Sequence, residues 1–314
     1  MRAKTFLFNL LEKIVSFSSR IGINSKTPGA LKVYNFLFQQ SWPYGEIIEV
    51  QGSKMYVGLR DAPYRMRKTF EVYAQNRIHE SATTELFKKY VAKGNTVVDL
   101  GANIGYFTLL AAKLAGSNGK VYAFEPEPEN YRYLSKNIKI NNYSHVQAFQ
   151  QAVSNLCGQI KLYVCDYDTG HHTIKQKEGL EAYSRGRKIK EKSIDIKTIT
   201  LDSFFKGKDD NVDIIKMDVE GAEALALEGM DAVLRKNKGL KMFVEFFPLL
   251  IEKMGNDPRE FIRKLMQDYG FSIYIIPDDY DASTSDMKKL NDVEEVMSYR
   301  KKEEDHVNLF LVRE

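Results

Sequence analysis

Between residues 96 and 246 the chain alternates between short apolar runs and amphipathic segments of helical period, and this alternation constrains the fold more than any other feature. Strand-like runs fall at 96–100, 120–124, 146–152, 212–217 and 240–246, with helical segments at 106–115, 129–141 and 222–230 between them. Strands joined through helices pair in parallel, because a βαβ crossover returns the chain in its original direction, and the helices then cover both faces of the sheet. A less regular stretch intervenes, in which strands near 159–165 and 194–200 enclose a polar loop at 166–192. A helix over 258–269, capped by Asp257 and stopped by Gly270, precedes two closing strands at 271–276 and 306–312. The pattern predicts an α/β domain over residues 78–314, with a seven-stranded, mostly parallel sheet whose last strand is antiparallel. Residues 287–305 are read only as charge-rich.

Residues 1–77 form an N-terminal extension. Phe6, Leu7, Leu10, Leu11, Ile14, Val15 and Phe17 lie at helical spacing, and Gly52-Ser53 marks a β-hairpin. The apolar run is broken by Glu12 and Lys13 and lacks a small-residue cleavage site, so a signal peptide is disfavoured. An amphipathic helix of this kind packs on the body or a second subunit, as in a homodimer, or lies on a membrane surface. The expected location is cytoplasmic, with peripheral membrane attachment as the variant. Apolar residues at 43% and charged ones at 28% suffice for a core and exclude disorder and collagen-like repeats. Lys and Arg exceed Asp and Glu by only 46 to 42, too little for a surface-wide basic field, so no nucleic-acid partner is expected. Cys157 and Cys165 have no His or Cys neighbours at zinc spacing and read as reduced thiols.

The segment Val97-Val-Asp-Leu-Gly-Ala-Asn-Ile-Gly105-Tyr-Phe-Thr108 runs from a buried strand through an acidic residue and a two-glycine loop into a helix. Glycine lets the backbone close on a ligand and a helix N-terminus favours negative charge, so this is a nucleotide-cofactor site in outline. A dinucleotide fingerprint would need glycine where Asn103 stands, and a Walker A loop would need Gly-Lys-Ser/Thr. The spacing Asp-x-Gly-x-x-x-Gly resembles instead the loop of S-adenosylmethionine-dependent methyltransferases, over which the methionine end of the cofactor lies. Asn103 departs from the commoner glycine, but Asn tolerates positive φ. Glu125 stands 24 positions after Gly101 at the next strand end, where a carboxylate can accept both ribose hydroxyls of an adenosyl group. Adenine is expected at the third strand end, near Gln151.

Four stretches are similar to the FkbM family of S-adenosylmethionine-dependent methyltransferases: 97–112; Gly119-Lys-Val-Tyr-Ala-Phe-Glu-Pro-Glu-Pro-Glu-Asn-Tyr131; Asp213-Ile-Ile-Lys-Met-Asp-Val-Glu-Gly-Ala-Glu223; and Val244-Glu-Phe-Phe-Pro248. The resemblance covers roughly residues 78–250. It implies a Rossmann-like class I fold, S-adenosyl-L-methionine as cofactor, and O-methyl transfer to a hydroxyl of a small molecule, sugar or glycan. The loop and the resemblance together assign cofactor contacts to Asp99, Gly101, Ala102, Asn103, Gly105, Tyr106, Phe107, Glu125, Pro126, Gln151, Ala152 and Asp218. Family members often have His in a Glu-Phe-His-Pro segment, where this chain has Phe247.

Methyl transfer is an in-line displacement at a sulfonium, helped by alignment, water exclusion and a base for the acceptor hydroxyl. Asp218 follows the fourth strand and Glu245 ends the fifth, at the carboxyl edge where ligands bind in open α/β folds. Asp218 can meet the cofactor's ammonium, act as base, or hold a divalent ion with Glu245. Glu220 is a further oxygen donor, but no spacing singles out a metal, and none is expected. His171 and His172 lie in a loop able to reach the acceptor side and complete the catalytic candidates. Residues 175–192 carry seven Lys or Arg against three Glu, a local +4 equal to the excess of the whole chain, which suits an acidic or phosphate-bearing acceptor. The rival readings are metal-assisted O-methylation of a diol and a non-catalytic scaffold that binds a membrane or partner through the N-terminal helix.

Overall fold

The computed structural model describes residues 10, 33, 36–37, 46–57, 70, 73, 78–165, 172–174, 192–276, 287–299 and 306–313. The helix expected over residues 1–21 lies outside them except for Leu10, as does the loop expected over 166–192 except for residues 172–174 and Lys192. Two units are distinguished, Met1–Val50 with Lys54–Arg77, and Gln51–Ser53 with Ile78–Glu314. Strands β1 (Ile47–Val50) and β2 (Ser53–Tyr56) form a two-stranded sheet, with Gln51 and Gly52 at positive φ in the turn. Among the described residues no helix is long and apolar enough to cross a membrane.

The larger unit begins with α1 (Ser81–Tyr90), β3 (Thr96–Leu100), α2 (Tyr106–Ala115), β4 (Lys120–Phe124), α3 (Pro128–Ile140) and β5 (Val146–Phe149). Then come β6 (Ala152–Val153), β7 (Gly158–Tyr163), β8 (Ser193–Ile199), α4 (Leu201–Phe205), β9 (Ile214–Met217), α5 (Glu223–Glu228) and α6 (Asp231–Lys236). The chain closes with β10 (Lys241–Phe246), α7 (Pro248–Lys253), α8 (Pro258–Arg263), β11 (Ser272–Ile275), β12 (Lys288–Leu290), α9 (Val293–Ser298) and β13 (Val307–Val312). The main sheet has the order β12-β11-β13-β10-β9-β3-β4-β5. Strands β5, β4, β3, β9 and β10 pair in parallel, and β13 inserts antiparallel between β10 and β11. This is the doubly wound α/β arrangement, with β3 central and every one of its residues buried. Its β-branched Thr-Val-Val start suits a strand covered on both faces.

One apolar cluster packs Val98, Leu100, Ile215, Met217, Met242 and Val244 of the sheet against Leu227, Leu234, Ile251, Phe261 and Ile262 of the helices. Helix starts follow local chemistry. Glu127 accepts a hydrogen bond from the Asn130 amide at 2.7 Å with Pro128 in the first turn, and Asp257 accepts one from the Arg259 amide at 2.8 Å.

Three expectations are corrected. The main sheet has eight strands, because the stretch read as merely charge-rich contributes β12 and then α9, capped by Asp292 on the Glu295 amide at 2.8 Å. The single strand expected over 146–152 divides: β5 stays in the main sheet, whereas β6 joins β8 and β7 in a separate three-stranded sheet. Helix α8 passes at Lys264 into one π turn rather than continuing as α-helix.

Candidate functional site

Register brings the site together. Leu100 pairs with Phe124 on one side and Met217 on the other, and Met217 pairs with Val244. The next residues along these parallel strands, Gly101, Glu125, Asp218 and Glu245, therefore share one level at the carboxyl edge of the sheet. The loop after β3 turns sharply, its Gly101 and Ala102 amides both donating to the Phe124 carbonyl at 3.0 Å. Gly101, Asn103 and Gly105 have φ of 79°, 50° and 103°. A Cβ on Gly101 would lie 1.8 Å from the Asp218 carbonyl oxygen, so this glycine is required by both its φ and the close approach of β9. The Oδ1 of Asn103 is buried with no hydrogen-bond partner among the described residues, an acceptor directed to no protein donor.

Glu125 is buried where the loop and β4 meet. Its Oε2 accepts the Asn103 amide at 2.8 Å and its Oε1 the Glu127 amide at 2.9 Å. Burial pushes its carboxyl up to about 8 despite those amides. The Asn130 side chain is a third hydrogen-bond partner of this carboxyl. Asp99 lies behind the loop: it accepts the Thr108 hydroxyl at 2.5 Å, joining β3 to α2, and burial raises it to about 6. Tyr106 and Phe107 open α2 as buried rings, with Tyr106 sharing a 3.2 Å hydrogen bond with the Thr84 hydroxyl. Pro126, beside Glu125, is half-buried, as are Gln151, between β5 and β6, and Ala152, the first residue of β6.

Beside the loop the structure assembles a charged group that the sequence did not reveal. Lys216, buried in β9, places its ammonium 3.4 Å from Asp218 Oδ2, 3.8 Å from Glu80 Oε2 and 5.0 Å from the centre of the Phe107 ring. Burial alone would lower its pKa, but Glu80 and Asp218, with Glu245 and Asp99 behind them, raise it. Burial would likewise raise Glu80, yet Lys216 and the neighbouring His79, 3.2 Å away, hold it near 2. A lysine inside the apolar run 212–217 was the available signal, since such a residue must find a partner when the strand is central. Its partner Glu80 lies 136 residues earlier, and nothing local announces the pairing.

On the far side of Asp218, carboxylate oxygens of Asp218, Glu220 and Glu245 lie within 4.8 Å of one another. Burial, then the charges of Asp218 and Glu220, push Glu245 well above the usual carboxyl range. Such donors are of the kind hard divalent cations take, and side chains already stand at two of them: the Lys216 ammonium at Asp218, and the His306 imidazole with its Nε2 3.4 Å from Glu245 Oε1. His306 enters β13 with its ring 5.8 Å from that of Phe247. An imidazole thus stands beside position 247 although the sequence places phenylalanine there. His172 is buried at the small sheet, where its Nδ1 accepts the Cys165 amide at 3.1 Å. His171 and residues 175–191 lie outside the described residues.

The strand order, the glycine loop and the acidic residue after β4 define the class: a Rossmann-like α/β fold with the site architecture of class I methyltransferases. The family model of the methyltransferase FkbM domain matches residues 99–273, more than half of the chain, and the protein belongs to that family. Methyltransferase sdnD of Sordaria araneosa is 32% identical over 156 residues, covering 43% of this chain and 60% of the relative. Methyltransferase 1 of Beauveria bassiana is 30% identical over 150 residues, covering 43% and 58%. The chain thus spans about three fifths of the length of these curated relatives. Among solved structures, methyltransferase FkbM from Methylobacillus flagellatus aligns over 98% of this chain and 60% of its own at 14% identity and a TM-score of 0.40. Fibrillarin of Aeropyrum pernix, solved with natively bound S-adenosyl-L-methionine, aligns over 74% of each chain at 13% identity and a TM-score of 0.39.

Proposed function

We propose that the protein transfers a methyl group from S-adenosyl-L-methionine to a hydroxyl of a small molecule, sugar or glycan. The observation that carries this reading is the shared level of Gly101, Glu125 and Asp218, with a backbone cradle too tight at Gly101 for any side chain. When bound, the cofactor supplies a methyl group on a positively charged sulfur. Glu125 would accept the ribose hydroxyls, the loop from Gly101 to Gly105 would lie under the amino-acid end, and Gln151 and Ala152 would border the base. The orphaned Oδ1 of Asn103 gives that ligand an acceptor, and the carboxylates along the edge suit its cationic centres. Asp218 and Glu245 lie on the same edge, where one carboxylate can meet the cofactor's ammonium and the other take the acceptor's proton.

The convergence of Asp218, Glu220 and Glu245 favours a second reading in which a divalent cation assists transfer to a diol. Calorimetric titration with S-adenosylhomocysteine tests the main claim. Wild type should bind, and Glu125→Ala and Gly101→Val should bind at least about tenfold more weakly. Undiminished binding by both variants, or none by wild type, would overturn it. Assaying label transfer to sugars and catechols with and without chelator separates the two readings, because only the second loses activity on chelation and regains it with Mg²⁺.

A further inference from the structure

Two costly features meet beside the glycine loop. Glu80 sits at φ 43° and ψ 71°, a left-handed conformation that costs a residue other than glycine about 1–2 kcal/mol. It precedes the first turn of α1, where a side-chain acceptor ordinarily caps a free amide, yet it makes no such hydrogen bond. Its carboxylate turns inward instead, toward Lys216 at 3.8 Å and His79 at 3.2 Å, and accepts a 3.5 Å hydrogen bond from the Asn308 side chain of β13. Lys216 is the second cost. A buried ammonium in a central strand loses its hydration, and a methionine of similar shape would ordinarily serve the core as well or better. Neither cost is required by the element in which the residue sits.

What the pair adjoins does explain them. Lys216 lies in β9 two residues before Asp218, which follows the strand, and its ammonium stands between the carboxylates of Glu80 and Asp218. The Asp218 amide donates to the Leu100 carbonyl at 3.0 Å, and the Asp218 carbonyl is the atom that forbids a side chain on Gly101. A continuous line of contacts thus runs from the start of α1, through Lys216, to the loop that would underlie an α-amino acid. Without Glu80, Asp218 would be the one carboxylate left within 4 Å of Lys216 among the described residues, and the cation would bear more fully on it. With Glu80 opposite, one cation is shared by two carboxylates, and Asp218 retains negative charge on its partly exposed side.

We propose that Glu80 and Lys216 are positioning residues that fix Asp218 at the glycine loop as the receptor for the α-ammonium of the cofactor's amino-acid end. This rests on the methyltransferase reading above and adds to it a division of labour. Glu125 reads the nucleoside, whereas the Glu80–Lys216–Asp218 line reads the zwitterion.

The experiment compares two probes in calorimetric titrations, S-adenosylhomocysteine, which carries the amino-acid end, and 5′-methylthioadenosine, which lacks it. Glu80→Gly takes a partner from the buried Lys216 ammonium, which lowers the melting temperature, and relieves the backbone, which offsets part of that loss. Its affinity for S-adenosylhomocysteine should fall about tenfold or more, with 5′-methylthioadenosine binding unchanged. Glu80→Gln, which keeps the shape and the strain, should show the same selective loss, and Glu80→Asp should recover part of it. Equal weakening of both probes, or no change in their affinity ratio, would overturn the proposal while leaving the cofactor reading intact. If wild type binds 5′-methylthioadenosine and S-adenosylhomocysteine equally well, the proposal also fails. If wild type binds neither, the cofactor reading fails and takes this inference with it.

Discussion

At pH 7 the Glu125 carboxyl holds its proton, because burial pushes it up to about 8 in the ligand-free protein. Ribose hydroxyls donate hydrogen bonds and so favour the ionised form, which means that binding must release this proton. The sign follows: below pH 8 the apparent affinity for S-adenosylhomocysteine should rise with pH, by close to tenfold per unit between about pH 6 and 7, and level off above 8. Titrations across that range in wild type and Glu125→Gln check it, since the variant should show a flat profile; a flat wild-type profile would contradict the assignment. Glu125 was legible in sequence because its role depends on a local pattern, an acidic residue ending the strand after a glycine loop. Lys216 and Glu80 were not, since each makes sense only through a partner distant in the chain. His306 illustrates the same limit, for it comes beside Phe247 through the antiparallel register that pairs Glu245 with Asn308.

Elements were readable where start, stop and period agreed. Glu125-Pro-Glu-Pro128 contains two carboxylates with different tasks: Glu125 follows β4 at the sheet edge, and Glu127 caps α3 by accepting the Asn130 amide at 2.7 Å. Proline at 128 fits the first helical turn, whose amides have no helical partner in any case. Glu127→Ala should therefore lower unfolding free energy by about 1–2 kcal/mol in urea titrations while changing S-adenosylhomocysteine affinity far less than Glu125→Ala. A larger effect on binding than on stability would show that the two roles are misassigned. The elements that escaped the sequence lack such agreement. Strand β6 has two residues and pairs with β8 across 46 positions, so periodicity cannot separate it from the end of β5. Strand β12 reads Lys-Lys-Leu, and only Leu290 is buried, which leaves the edge strand almost no apolar signature.

Across the whole molecule, the site concentrates carboxyl groups that are more easily protonated in the folded chain than in the unfolded one. Burial raises Asp99 to about 6, Glu223 to about 7 and Glu125 to about 8. For each group the folded state binds a proton more tightly, so its contribution to stability is complete below its unfolded pKa, near 4, and is lost as pH rises through the folded value. Glu80 acts in the opposite sense: held near 2, it contributes above its unfolded pKa and ceases to do so as pH falls toward 2. Together they place maximal stability near the unfolded carboxyl pKa of about 4, with a decline from there toward pH 8 whose slope approaches about 1.4 kcal/mol per unit for each group still protonated in the fold. Melting temperature measured from pH 4 to 9 should thus peak on the acid side of neutrality. Saturating S-adenosylhomocysteine should flatten the alkaline limb, because the ligand favours ionised Glu125 and its stabilisation grows with pH. A profile that climbs from pH 5 to 8 would show that these carboxyls are ionised in the ligand-free fold, and the proton release inferred for Glu125 would fall with it.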